Sequence, residues 1–255
     1  MKLLRVTPSG AHAAYLDVGA TGGRTSVYLG GLGLASTVTF APVIGHPEVA
    51  GRGRHVLVDL VGSGWSDHDD TFAHTIEEHA SVVAAVIDAL ELRAITLVGH
   101  SLGGSIAISL ASQRPDLVGE LIVAEPNLDP GVGTMSAQIA SFDEDTFVST
   151  GMRSIIDAED TAVGLRTLRR WSPHGLHRTA VSLLAERPVT FREQLTALSM
   201  PKRHISGELS GEDLDALRAT GCDVRVVPDA GHLMMDDDLD GFVRLLADPL
   251  KITSA

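Results

Sequence analysis

The sequence is poor in the features that mark several large classes of protein. It contains a single cysteine, Cys222, which excludes an internal disulfide and a cysteine-rich metal site. It has no apolar run of about 18 residues, so no transmembrane helix is predicted. The first residues have a basic side chain but no sustained apolar segment after it, so we expect no signal peptide. Together these absences predict a soluble cytoplasmic protein.

Basic residues are also in short supply. The chain has 20 Lys and Arg residues against 33 Asp and Glu residues, and its formal net charge is -13. Nucleic acids and anionic membranes both bind positively charged surfaces, so we expect neither as a partner. With 255 residues, of which 44% are hydrophobic, the chain is long enough for one substantial core and does not require a second independent domain.

Short apolar runs alternate with longer helical patterns along the chain. The segments 75–90 and 102–113 have helical spacing of their apolar residues, and a third helix is predicted at 232–247. Several of the apolar runs are continuous, which is typical of strands covered on both faces. Strand and helix alternation predicts a mostly parallel α/β sheet with right-handed crossovers. The predicted strands are 3–6, 13–18, 26–29, 55–60, 94–98, 121–124, 203–206 and 224–227.

One long stretch interrupts this alternation. Residues 127–201 contain no convincing strand and several helix-like pieces. An insertion of this length between two strands is often a lid over a functional site, although it can also be a helical elaboration that only shields the sheet edge. We therefore expect a core formed by residues 1–126 and 202–255, with a helical lid at 127–201.

The most specific motif is the sequence GHSLG at residues 99–103, between a predicted strand and a predicted helix. This is the G-x-S-x-G nucleophile elbow, in which glycines allow a tight turn that exposes the serine oxygen. Ser101 is therefore the candidate nucleophile. The amide of Leu102 lies at the helix N-terminus, where it can bind a developing oxyanion.

From this motif outward, the sequence resembles the α/β-hydrolase family over nearly its whole length. The stretches VYLGGLGLAS, LVDLVGSGWSD and VPDAGHLMMDDD resemble the family's oxyanion loop, its D-x-P-G-x-G-x-S segment and its histidine turn. Two positions depart from the family pattern, since Val61 replaces the usual proline and Gly30 the usual histidine of the oxyanion loop. The resemblance implies an eight-stranded, mostly parallel sheet with helices on both faces and a helical lid. It also implies that His232 is the general base and that the amide of Leu32 is the second oxyanion donor.

The acid of the expected catalytic triad departs from the usual family pattern. Ser210 stands where the family places an aspartate after the seventh strand, and a serine cannot balance the charge of an imidazolium. Some family members, including certain haloalkane dehalogenases and a lactonase, instead carry a glutamate after the sixth strand. The resemblance therefore implies that Glu125, which follows the predicted strand 121–124, orients His232. The other candidates for this acid are Glu208, Asp129 and Asp213.

The expected function is that of a serine hydrolase that cleaves a carboxylic ester or lactone through an acyl-serine intermediate. The expected partner is a small apolar substrate, and no cofactor is needed. Thioesters, carbon–carbon bonds and peptides remain alternative substrates, as does a ligand-binding receptor with little turnover. We expect no metal, since one group of potential ligands matches no familiar metal-site spacing and is predicted to form a solvated loop that enters a helix. That group is His68, Asp69, Asp70, His74 and His79.

Overall fold

The computed structural model describes residues 1–20 and 23–249, which fold around one eight-stranded sheet. The strand order is β1-β2-β4-β3-β5-β6-β7-β8, and β2 runs antiparallel to β1 and β4 while all other neighbours are parallel. All eight predicted strands are present, with ends that differ by at most three residues. They are β1 Lys2–Arg5, β2 His12–Gly19, β3 Thr25–Leu29, β4 Arg54–Val58, β5 Ile95–His100, β6 Val118–Ala124, β7 Lys202–Gly207 and β8 Asp223–Val227.

Helices cover both faces of the sheet, as expected. They are α1 Ser36–Thr39, α2 Ala41–Gly45, α3 Pro47–Ala50, α4 Ile76–Ala89, α5 Leu102–Gln113, α6 Thr134–Ala140, α7 Glu144–Thr146, α8 Met152–Ala158, α9 Ala162–Thr167, α10 Pro173–Leu184, α11 Phe191–Ala197, α12 Leu214–Arg218, α13 Met234–Asp237 and α14 Leu239–Ala247. None of the helices in the described part of the chain is both long enough and apolar enough to cross a membrane.

The central strands are apolar throughout because both of their faces are buried. All six residues of β5 are buried, and alternate side chains enter different clusters. Leu97 packs in a cluster with residues of α4 and α5. Val98 packs in a second cluster that includes Phe242 of α14. The sheet is therefore the middle layer of a three-layer core.

The predicted C-terminal helix at 232–247 is wrong in its extent. The segment forms two helices, α13 and α14, separated at Asp238, whose φ of -142° is extended rather than helical. The Asp238 side chain accepts a hydrogen bond of 2.9 Å from the amide of Gly241 and so caps α14. The first of the two helices begins only at Met234, so His232 lies in the turn before it rather than at the start of a long helix.

The insertion at 127–201 is helical, as expected, but it also contains a helix that the sequence analysis did not predict. The segment that runs from α6 to α10 buries Phe147, Trp171 and Leu176 in the same cluster as the side chains of α5. The additional helix, α11, begins with a capping box at Thr190 and Glu193 and packs against α5. The division into a core and a lid remains our interpretation.

Candidate active site

Ser101 lies at the sharp turn between β5 and α5. Its φ is +53°, a left-handed conformation that costs a non-glycine residue about 1–3 kcal/mol. A Cβ atom on Gly99 would clash with the carbonyl of Gly103, so the tight turn requires glycine there. The amide of Ser101 donates a 2.8 Å hydrogen bond to the carbonyl of Ala124. The end of β6 therefore helps to hold the strained turn.

Glu125 and His232 meet directly at the same edge of the sheet. The distance between Oε2 of Glu125 and Nδ1 of His232 is 2.6 Å. The other carboxylate oxygen, Oε1, accepts a 2.7 Å hydrogen bond from the amide of Gly207 at the end of β7. Glu125 is only 7% exposed and has a φ of +44°, so its backbone is strained as well as buried. Neighbouring parallel strands thus bring the carboxylate and the imidazole together.

The surroundings of Glu125 favour its charged form. Burial would raise the pKa of this carboxyl, but hydrogen bonds from His232 and the Gly207 amide, together with the nearby Ser210 hydroxyl, bring the pKa below its usual value. The Ser210 Oγ atom is itself buried and is not in hydrogen-bonding geometry with any residue among those described. The Ser210 hydroxyl therefore acts on the pKa of Glu125 as a nearby dipole.

The other three candidate acids have different partners. Glu208 is exposed, and its carboxylate accepts a hydrogen bond from an amide in the turn after β8. Asp129 forms an ion pair with Arg192, with a shortest distance of 2.7 Å. Asp213 caps the N-terminus of α12 through backbone amides. Glu125 is the candidate acid whose carboxylate reaches His232.

Ser101 and His232 line the same cavity. Within residues 1–20 and 23–249, no hydrogen bond joins the Ser101 hydroxyl to His232. The contact between a nucleophile and its base is often long before substrate binds and shortens in the complex. The His232 side chain is 52% exposed, so its ring has room to approach the serine.

The two candidate oxyanion donors belong to different segments, the loop after β3 and the first turn of α5. Leu32 lines the cavity, in a turn closed by a 3.1 Å hydrogen bond from the amide of Leu34 to the carbonyl of Gly31. Leu102 is the first residue of α5, so its amide has no acceptor within the helix. The side chain of Leu102 is fully buried and does not form part of the cavity wall. Any contribution of Leu102 to the site must therefore come from its backbone.

Two side chains from the insertion hold the loop that carries Leu32. The hydroxyl of Thr167 donates a 2.9 Å hydrogen bond to the carbonyl of Gly33. The indole of Trp171 donates a 2.9 Å hydrogen bond to the carbonyl of Leu34. The sequence analysis missed both contacts, because no local pattern links these residues to a loop more than 130 positions earlier.

His100 and Asp237 support the loop that carries His232, and the sequence analysis did not assign either residue this role. His100 donates a 2.8 Å hydrogen bond from Nε2 to the carbonyl of His232. Complete burial lowers the pKa of His100 to about 3, so its ring is neutral at ordinary pH. Asp237 accepts a 2.8 Å hydrogen bond from the amide of Gly231.

The predicted loop that enters a helix is present, with His79 in α4, but the expectation that it is solvated is wrong for His74 and His79, which are fully buried. Phe72 packs edge-on against the rings of His74 and His79, with ring centroids 4.9 and 5.4 Å apart. His74 also donates from its ring to the carbonyl of Asp69, at 3.1 Å. These side chains hold the loop against the insertion. In the described part of the chain, no group of three or more potential ligands is arranged to hold a metal ion.

The cavity next to Ser101 has a volume of about 740 Å³, which lies in the usual range for small-molecule sites. Its wall includes the loop after β3, the ends of β5 and β6, and residues of the insertion. Among its apolar lining residues are Leu32, Leu34, Val132, Met135, Leu183 and Leu209. Val132 and Leu209 are more than half exposed, so part of the mouth is apolar. The cavity can therefore hold an acyl or alkyl group beside the serine.

A family model described as the alpha/beta hydrolase family matches residues 27–245. The chain belongs to this family. Among curated proteins, the hydrolase shares 30% identity over 107 residues with a 2-hydroxy-6-oxo-2,4-heptadienoate hydrolase of Pseudomonas putida, a match that covers 42% of the chain and 38% of that relative. The first relatives it matches are thus aligned over only 38% to 42% of their own lengths.

Solved structures resemble the hydrolase over almost its full length. An esterase from Thermogutta terrifontis superimposes with a TM-score of 0.78 at 22% identity, covering 96% of this chain and 97% of that one. An enol-lactonase from Burkholderia xenovorans superimposes with a TM-score of 0.78 at 19% identity, covering 97% and 98%. At these identities the likeness establishes the fold.

Proposed function

We propose that this alpha/beta hydrolase cleaves a carboxylic ester or lactone through an acyl-serine intermediate. The observation that carries the proposal is the 2.6 Å contact between Glu125 and His232 beside the cavity that Ser101 lines. Nucleophilic acyl transfer needs a serine, an imidazole that takes its proton and a carboxylate that orients the imidazole. The esterase and the enol-lactonase among the structural neighbours support the same chemistry.

In the proposed acylation step, the hydroxyl of Ser101 attacks the carbonyl carbon of the substrate. His232 takes the serine proton on Nε2, while its Nδ1–H donates to the ionised carboxylate of Glu125, which balances the imidazolium charge. The amides of Leu32 and Leu102 bind the oxygen anion of the tetrahedral intermediate. The bond to the leaving alcohol then breaks, and His232 returns the proton to that oxygen.

In the proposed deacylation step, water attacks the acyl-serine carbonyl and His232 takes its proton. The second tetrahedral intermediate is bound by the same two amides. Collapse releases the carboxylic acid, and the proton on His232 returns to Ser101. The products are the acid and the alcohol, and a lactone gives both groups in one molecule. A strained backbone persists only where the surrounding structure fixes it, so Ser101 and Glu125 should keep their places at one edge of the sheet throughout the cycle.

The proposal is tested by labelling the protein with a fluorophosphonate and by measuring turnover of an aryl ester. Ser101→Ala should abolish both the label and the turnover. Ser136→Ala is the matched control, because Ser136 also lines the cavity but its hydroxyl is bonded to the carbonyl of Gly133. We expect that control to keep both activities. Labelling and turnover that persist in Ser101→Ala would refute the assignment.

The same experiment separates an enzyme from a hydrolase-like receptor, which the sequence analysis kept as an alternative. An enzyme should show multiple turnovers of the ester at a steady rate. A receptor should instead show one burst followed by slow release of product. Thioesters and carbon–carbon bonds adjacent to a ketone can then be compared on the wild-type protein, since the same serine, imidazole and oxyanion donors would cleave them.

A further inference from the structure

The charges that line the cavity are all of one sign. Its wall contains the carboxylates of Glu125, Glu159 and Glu212, and within the described residues no lysine or arginine contributes to it. Both carboxylate oxygens of Glu125 are already hydrogen-bonded, one to His232 and the other to the Gly207 amide. The other two carboxylates have no part in the proposed reaction. They come from different parts of the chain, since Glu159 belongs to the insertion and Glu212 follows β7.

Glu212 is held in place by two buried side chains of β7. Its Oε2 atom is 2.8 Å from Nε2 of His204 and accepts a 2.8 Å hydrogen bond from the hydroxyl of Ser206. Both of these residues are at most 1% exposed, so they cannot swing away from the carboxylate. The Oε1 atom of Glu212 takes no hydrogen bond from the described residues. The carboxylate is therefore fixed at the cavity wall with one oxygen available to a ligand.

Glu159 is held in a similar way, by residues of the insertion. Its Oε1 atom accepts a 2.8 Å hydrogen bond from the amide of Thr161 and a second bond from the hydroxyl of the same residue. Thr161 in turn caps α9, so the carboxylate is tied to a helix of the insertion. Its Oε2 atom takes no hydrogen bond from residues 1–20 and 23–249. An ordered carboxylate of this kind needs little further ordering when it binds a cation.

We propose that the substrate of this cavity is an ester that carries a cationic amine, and that the cavity rejects esters that carry a carboxylate. The inference rests on the proposed ester hydrolysis and specifies its substrate class. An ammonium group can donate to the free oxygens of Glu159 or Glu212, while its alkyl part lies against the leucine and methionine side chains. A carboxylate would find three negative charges in the wall. The net charge of -13 also favours the approach of a cation.

The test compares kcat/KM for esters that differ in charge but little in shape. On the acyl side these are the p-nitrophenyl esters of hexanoic acid, 6-aminohexanoic acid and adipic acid as its monoester. On the alcohol side they are 2-(dimethylamino)ethyl butanoate, whose protonated amine keeps one N–H donor, and its uncharged isostere, 3-methylbutyl butanoate. Unit charges roughly 6 Å apart at an effective dielectric constant of about 40, which suits a cavity open to solvent, change a binding constant about tenfold. We therefore expect one cationic ester to exceed its neutral partner by about tenfold, and the adipate ester to fall below hexanoate by at least as much.

Three variants locate the effect. Glu159→Gln and Glu212→Gln keep the shape of each side chain and remove its charge, so at least one of them should lower the cation-to-neutral ratio by about three- to tenfold. Glu186→Gln is the control, because Glu186 is exposed and lies outside the cavity wall. Raising the salt concentration should also reduce the ratio in the wild-type protein.

The outcomes separate the two proposals. Turnover of hexanoate and adipate esters at equal rates, or no preference for a cation on either side of the ester, would overturn the inference and leave ester hydrolysis intact. Equal ratios in the wild type and both glutamine variants would overturn it too. Failure to cleave any of the five esters, together with no fluorophosphonate label, would instead refute the proposed function itself.

Discussion

Acid should unfold this protein in a pH range set by its buried histidines. Burial lowers the pKa of His79 to about 3, and the pKa of His100 is also lowered to about 3. In the unfolded chain each ring titrates with a pKa near 6.5. Between these values the unfolded chain binds more protons than the folded one, so stability falls as the pH falls. The full contribution is present above about pH 6.5 and is progressively lost as the pH drops toward 3.

The size of the effect follows from the two pKa values. Each pH unit below 6.5 costs about 1.4 kcal/mol for each histidine that stays neutral in the fold. At pH 4.5 this amounts to about 3 kcal/mol for one histidine and about 5 kcal/mol for two. Ordinary domains have a total stability of about 5–15 kcal/mol, so the loss is a large share of it. Carboxyls whose pKa is lowered by folding, such as Glu125, remain ionised above pH 4.5 and add to the loss only at lower pH.

The assay is urea unfolding at a series of pH values between 8 and 4.5. His79→Gln keeps a side chain that can reach the Thr179 hydroxyl, which lies 3.2 Å from Nε2 of His79. The variant lacks the titrating ring. Between pH 8 and 4.5 its free energy of unfolding should therefore decrease by about 3 kcal/mol less than that of the wild type. His68→Gln is the control, because His68 is exposed and no ion pair joins it to another of the described residues. Wild-type and His79→Gln curves that fall in parallel would refute the reasoning.

Two further predictions concern the loop that carries Leu32. In Gly31→Ala the new Cβ atom would lie 3.2 Å from both Nδ1 of His100 and Cβ of Ser101, so the loop must shift. We expect kcat on an aryl ester to fall by roughly 10- to 100-fold, with little change in melting temperature. Unchanged kcat would show that the loop does not position an oxyanion donor. Thr167→Val removes the hydroxyl that donates to the carbonyl of Gly33. This variant should lower kcat by roughly 3- to 30-fold and raise KM by a smaller factor. Thr196 is exposed, so Thr196→Val should have no effect on either quantity. Equal kinetics in the two threonine variants would contradict the role of the insertion in holding this loop.

The sheet could be predicted from the sequence because its strands are continuous apolar runs, as in β5 and β6, and are bounded by turns. Helix α5 could be predicted to the residue because glycine and serine of the elbow precede it and Pro115 follows it. The break between α13 and α14 was missed, since it depends on Asp238 leaving the helical conformation to cap the next helix. Helix α11 was missed because the seven residues of Phe191–Ala197 carry too short a periodic pattern to stand out in a polar stretch.

Within the candidate site, the elbow and the histidine turn are local motifs, so Ser101 and His232 could be named from the sequence. Glu125 was named from the resemblance to family members that carry their acid after the sixth strand, and because Ser210 stands at the usual place of the aspartate. The contacts that order the site are long-range, and no local pattern encodes them. They include the bond from Trp171 to Leu34 and that from His100 to His232. The burial of His74 and His79 could not be predicted for a similar reason, because it depends on helix α10 packing over them.

The central claim is that Glu125 is the acid that orients His232, and kcat of Glu125→Gln on one aryl ester tests it most directly. The variant keeps the shape of the side chain and removes the charge that balances the imidazolium. We predict that kcat falls by roughly 10²- to 10⁴-fold, while native-like melting is retained. Glu208→Gln, whose side chain turns away toward the loop after β8, should lose less than about tenfold. A severe loss in Glu208→Gln with near-normal kcat in Glu125→Gln would contradict the claim.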